Sequence, residues 1–132
     1  MGFGEAVKSV IFKNYATFSG RASRSEYWWF TLFNIIASIA LQVLTIALGV
    51  IDPILAGIAG LLVIVFFLGI FVPSLAVIVR RLHDVDKSGW WYLIVLTGIG
   101  ALVVLYWMII KGTEGDNRFG PDPLGNVADR FT

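Results

Sequence analysis

The chain has 132 residues, of which 58% are hydrophobic and 14% charged, with a mean hydropathy of +0.82. That length suits one domain, and that composition excludes an ordinary soluble protein and predicts a membrane one. A formal net charge of +1 gives no general attraction to nucleic acid, and the absence of cysteine excludes disulfides, thiolate metal sites and thiol chemistry.

Over residues 3–18, Phe3, Ala6, Val7, Val10, Ile11 and Phe18 recur near helical spacing, while Glu5, Lys8, Ser9 and Lys13 take other faces. The pattern predicts an amphipathic helix lying in the membrane interface with its lysines toward anionic headgroups. An arm packed on the rest of the protein is the alternative. Lacking a compact apolar run ending in small residues, the first 20 residues are not expected to be a cleaved signal peptide, which leaves targeting to the first apolar block.

Ionisable residues are missing from residues 27–51, 53–79 and 88–110, blocks of 25, 27 and 23 residues. Each is long enough for a helix to cross a hydrocarbon core of about 30 Å. The predicted architecture is therefore all-α and multi-pass: an interfacial helix over 3–18, membrane helices over 24–51, 54–83 and 88–110, and a polar Gly/Pro-rich tail over 111–132, in a single membrane domain.

Ser23-Arg24-Ser25-Glu26 matches a capping box and starts the first membrane helix at Arg24, and Gly20 supplies the turn before it. Tyr27, Trp28 and Trp29 come next, at headgroup depth. Within the helix Asn34, Ser38, Gln42 and Thr45 share one face, which predicts packing against another helix, with a solute-lining stripe as the sharper alternative. Asp52-Pro53 forces a tight antiparallel return. Ala56 and Gly60 form a small-xxx-small pair, and Pro73 predicts a kink rather than an end.

The second junction, RRLHDVDKSGWWY at residues 80–92, repeats the chemistry of the first. Arg80 and Asp84 are spaced as an i, i+4 pair, and Asp86 or Ser88 can cap the third helix. Lysines and arginines number four before the first apolar block, none at the Asp52-Pro53 turn, three over residues 80–87 and three in the tail. The positive-inside rule then predicts a cytoplasmic N-terminus, with both tryptophan clusters at the inner leaflet. If residues 90–110 span, Tyr106 and Trp107 form the opposite aromatic belt and the tail is external; this is the favoured expectation. If Thr97-Gly98-Ile99-Gly100 breaks the segment into a re-entrant hairpin, the tail returns to the cytoplasmic side.

FSGRASRSEYWWF at residues 18–30, RRLHDVDKSGWW at 80–91 and GTEGDNRFGPDP at 112–123 together resemble the domain-of-unknown-function 805 family (DUF805), the YhaH-like small bacterial inner-membrane proteins. The resemblance implies a multi-pass inner-membrane protein and no particular reaction. The motif positions it carries over are Gly20, Arg21, Arg24, Ser25, Glu26, Tyr27 and Trp28, then Arg80, Arg81, His83, Asp84, Gly89 and Trp90, then Gly112, Gly115, Asn117, Arg118 and Gly120. Where such proteins often carry a proline in the third segment, Thr97-Gly98 stands here.

His83 with Asp84 and Asp86 invites a metal or acid-base reading, but one histidine beside two acids is short of the three or four converging ligands that a metal needs. Glu114, Asp116 and Asp122 lack the alternation of a calcium loop. No metal, cofactor or catalytic set is therefore expected. The leading expectation is an accessory protein whose Arg21, Arg24, Arg80, Arg81 and Lys87 bind anionic lipid or a membrane partner, against the plainer possibility that Glu26, Asp84 and Asp86 neutralise the arginines. The alternatives are an oligomeric channel or transporter component lined by Asn34, Ser38, Gln42 and Thr45, and an interfacial enzyme using His83. Membrane lipids and a second copy or membrane-protein partner are the expected associates.

Overall fold

The protein is described by a computed structural model over residues 1–125, so the predicted tail is described as far as residue 125 and residues 126–132 lie outside the described part. Helix α1 (Phe3–Lys8) runs into a π-helical turn (Ser9–Lys13), and two long helices follow, α2 (Arg24–Ile51) and α3 (Pro53–Asp84). A 3-10 helix (Gly89–Thr97) and α4 (Ile99–Ile109) complete the order. Among the described residues no strand forms beyond one isolated bridge between Asn117 and Gly120. Both α2 and α3 are long and apolar enough to cross a membrane.

Helix α2 starts where Ser23, in extended backbone, accepts the Glu26 amide at 3.3 Å. The predicted capping box is only half made, because the Glu26 carboxylate turns away from the Ser23 amide to a buried arginine. At the far end Asp52 closes α2 and caps α3, its Oδ1 accepting the Ile54 amide at 2.8 Å, with Pro53 at a first-turn position that needs no N–H. The helices pack closely beside this turn, where a Cβ on Gly49 would lie 3.2 Å from that of Ala56. Only Ala56 of the small-xxx-small pair is used there, since Gly60 faces open space.

Helix α3 continues through Pro73 as predicted, and the missing amide leaves the Gly69 carbonyl without its i+4 donor. The Tyr15 hydroxyl donates to that carbonyl at 2.5 Å. The N-terminal arm is helical only as far as Lys13, short of the predicted 3–18, and its inner face lies against α2 and α3 while Phe3, Phe12 and Phe18 stay exposed. Val10 packs with Ala22, Phe30 and Val77 in one apolar cluster. Tyr15→Phe is expected to lower stability by about 1 kcal/mol, read as a shift in detergent unfolding.

Residues 88–110 do not form one spanning helix. Gly98, at φ +77°, takes a backbone conformation that side chains disfavour, and a side chain on Gly100 would collide with the Ile94 carbonyl. Thr97 Oγ1 ties the turn by donating to the Ile94 carbonyl at 2.7 Å and accepting the Gly100 amide at 3.0 Å. The two arms fold back, and the Trp91 and Trp107 rings meet edge to face at 5.9 Å. Trp107 thus belongs to the same layer as Trp91 and forms no opposite belt. The arms are about 18 Å and about 16 Å long at 3-10 and α-helical rise, about half a hydrocarbon core. Leu82, Val104 and Met108 form the second cluster, joining the hairpin to α3.

Candidate functional site

The hairpin's return brings all three motif stretches to one end of α2 and α3. Asp84, on the last turn of α3, is the centre. Its Oδ1 accepts Arg21 Nε at 3.0 Å, its Oδ2 accepts Arg81 Nη1 at 2.5 Å, and its main-chain carbonyl accepts the Thr113 amide at 2.7 Å. A side chain at Gly112 would collide with that carboxylate, so glycine is what lets the tail pass over it.

Arg21 spends its remaining donors on the tail: Nη1 on the Gly115 carbonyl at 2.6 Å and Nη2 on the Thr113 carbonyl at 2.5 Å. Arg81 Nη2 donates to the Trp107 carbonyl at 3.2 Å and to the Ile110 carbonyl, which closes the C-terminal end of α4. The predicted Arg80-Asp84 pair does not form. Arg80 reaches across to α2 instead, its Nη1 meeting Glu26 Oε1 at 2.7 Å, and Ser9 donates to the same oxygen at 2.8 Å. An i, i+3 arginine on the same helix and an arginine from the loop before α2 reach Asp84 first.

Three guanidiniums are thus shared between two carboxylates in near-complete burial, with side-chain exposures of 1% for Arg21, 4% for Arg80, 0% for Arg81 and 6% for both Glu26 and Asp84. Arg80 Nε and Nη2 and Arg81 Nε have no partner among the described residues. Desolvated charge of this kind persists only where it is paired, so the cluster ties α2, α3, the hairpin and the tail into one unit.

Around it the other motif residues serve the same assembly. His83 Nδ1 bonds the Gly20 carbonyl at 2.8 Å, and the ring stacks on Phe119 at 4.1 Å. Asn117 donates to the His83 carbonyl at 2.9 Å, and Gly120 pairs with Asn117 through the bridge. Asp86 bonds Arg118 at 3.2 Å at the surface, so Asp84 and Asp86 are both engaged by arginines rather than by His83. Trp28 Nε1 donates to the Met108 carbonyl at 2.9 Å, Tyr27 touches both apolar clusters, and Ser25 Oγ lies 3.1 Å from Ser23 Oγ. Gly89 allows the 3-10 helix to lie on Val79, and Trp90 projects outward from it. Ser88 caps that helix, while Asp86 takes a left-handed φ of 61° in the turn ending α3.

Arg24 and Lys87 stand apart from the buried trio. Arg24 is exposed and makes one weak bond to the Ile109 carbonyl at 3.3 Å, and Lys87 is half-buried with its ammonium 5.6 Å from the centre of the Trp107 ring. An open, mainly apolar groove of about 420 Å³ is lined by residues that include Leu75, Val79, His83, Ser88, Trp90 and Leu93. Of the polar face of α2, Asn34 approaches Ser74 of α3 at 3.5 Å and Thr45 bonds its own helix at the Leu41 carbonyl, whereas Ser38 is half-buried and Gln42 exposed. Among the described residues no three His, Asp or Glu side chains converge as metal ligands.

Sequence reasoning missed Ser9, Thr113, Phe119 and the carbonyls of α4. Their signal is indirect: charges next to apolar runs have no water to fall back on, so each guanidinium needs a named acceptor.

The chain is 45% identical over 118 residues to the inner membrane protein YhaH of Escherichia coli (strain K12), covering 86% of this chain and 92% of that protein. It is 44% identical over 114 residues to the inner membrane protein YhaI of the same strain, covering 86% and 91%. No solved structure matches it. The family described as "Protein of unknown function (DUF805)" matches residues 15–121, a stretch that includes every member of the buried ionic cluster except Ser9, and the chain, an all-helical protein with inner-membrane relatives, belongs to that family.

Proposed function

We propose that this is an accessory inner-membrane protein whose motif-bearing end faces the cytoplasm and holds anionic lipid headgroups. One observation carries the reading: three buried guanidiniums face two carboxylates, and three of their N–H-bearing atoms have no partner among the described residues. That end therefore carries an excess of positive charge in a region of low dielectric, where its attraction for an anion is stronger than in water. Arg24 and Lys87, at the rim, are free to contact the phosphate, and the apolar groove lined by Leu75, Val79, Trp90 and Leu93 at the same end offers room for an acyl chain. The count of lysines and arginines supports the cytoplasmic side.

Arg21 and Arg81 are poor probes of this idea, because removing either tests the fold. Arg24→Gln/Lys87→Gln is the better variant. The full chain in vesicles containing phosphatidylglycerol is expected to enrich that lipid around itself, read by quenching of tryptophan with a labelled anionic lipid. The double variant is expected to lose most of the enrichment while keeping its stability. Equal enrichment in both proteins refutes the proposal.

A further inference from the structure

On the polar face of α2, Gln42 is the residue that is both exposed and without a hydrogen bond to the described residues. Asn34 Nδ2 approaches Ser74 at 3.5 Å while its Oδ1, turned into the protein, has no partner among the described residues, and Thr45 turns back to the Leu41 carbonyl; the whole Gln42 carboxamide is exposed and makes no hydrogen bond to the described residues. At helical rise it lies about 21 Å from Trp28 and about 15 Å from Asp52, too far for its side chain to reach either boundary. A lipid tail offers a carboxamide neither donor nor acceptor.

We infer that Gln42 and the groove beside it form the contact between two copies of this chain. The groove, of about 290 Å³, is lined by Gln42, Thr45 and Ile46 of α2 and by Gly60 and Val63 of α3. Its floor is low at Gly60, which has nothing within 4 Å of where a side chain would stand. Two copies inserted in the same sense and related by a two-fold axis along the membrane normal place their Gln42 residues at the same depth. Each amide N–H then donates to the other's carbonyl, an isologous pair that satisfies both groups. A different partner would need a hydrogen-bonding group at the matching depth; a second copy has one by symmetry, with both a donor and an acceptor. The same contact covers the flanking apolar surface of Ile46, exposed to 70%.

The absence of native cysteine makes the test direct. Ile46→Cys, with Gln42 intact, is expected to give a disulfide-linked species of twice the chain mass when native membranes are oxidised. Leu44→Cys, on the opposite face of α2, is expected to give little. Adding Gln42→Leu to Ile46→Cys should cut the yield about tenfold at unchanged membrane abundance. Gly60→Leu, which fills the groove and leaves Gln42 in place, should lower it as well. Equal linkage from both faces, linkage that survives Gln42→Leu or Gly60→Leu, no linkage, or an adduct of another mass overturns the inference.

Discussion

Asp84→Ala is expected to destabilise the protein by about 3 to 5 kcal/mol, more than the loss of any other single carboxylate among the described residues. The reason is what it strands. Arg21 and Arg81, at 1% and 0% side-chain exposure, would keep their charges and lose their common acceptor. The Arg21 bridge to the Gly115 and Thr113 carbonyls and the Arg81 bridge to the Trp107 carbonyl would then hold unneutralised cations. Asp86→Asn is the control, because its pair with Arg118 is exposed to 48% and 62% and such pairs contribute about 0 to 1 kcal/mol, while asparagine tolerates the left-handed φ of 61° at that position. Tryptophan fluorescence during unfolding in detergent reads both variants, since at this same end the Trp28 indole N–H donates to the Met108 carbonyl and the Trp107 ring packs on Trp91. If Asp84→Ala proves no worse than Asp86→Asn, the cluster is not what joins the segments. Replacing Asp84 together with both of its arginines by apolar residues should recover much of the loss, because the expense lies in leaving buried charge unpaired.

The helices were legible in the sequence because the bilayer imposes a simple rule on composition: charge-free blocks bounded by Trp and Arg mark α2 and α3, and Asp52-Pro53 marks the turn between them. Ser23 as N-cap followed from residue type and spacing, which are local. The partners of the arginines were not legible, since Arg80 finds Glu26 and Arg21 finds Asp84 only after distant segments dock. Spacing along α3 pointed to Arg80 and Asp84, but helix rotation sends those two side chains to different neighbours. The arm before Ser23 is opaque to sequence for the same reason: Ser9 and Tyr15 look like solvent-facing polar residues until Glu26 and the open Gly69 carbonyl are placed beside them. Gly98 and Gly100 held the decisive signal for residues 88–110, yet glycine is common in membrane helices, and only the backbone angle of Gly98 and the closeness of Gly100 to Ile94 distinguish a turn from a tolerated glycine.

A cysteine at Asp116 is expected to be labelled from the same side of the membrane as one at Lys8, and one at Asp52 only from the other side. Asp116 and Lys8 are exposed, and the substitution at Asp52 sacrifices a cap of about 1 kcal/mol, too little to unfold the protein. The expectation rests on the hairpin. Lys87 lies against Trp107, Arg81 holds the Trp107 carbonyl, and Thr113 bonds Asp84, so the start and the end of the apolar segment sit at one level. A single crossing would instead separate these groups by the thickness of the hydrocarbon core, about 30 Å, and every one of those contacts would be lost. A membrane-impermeant maleimide applied before and after permeabilisation separates the two arrangements completely, since each cysteine is either reached or not. Labelling of Asp116→Cys together with Asp52→Cys would dismantle the hairpin, and with it the convergence of the three motifs on Asp84.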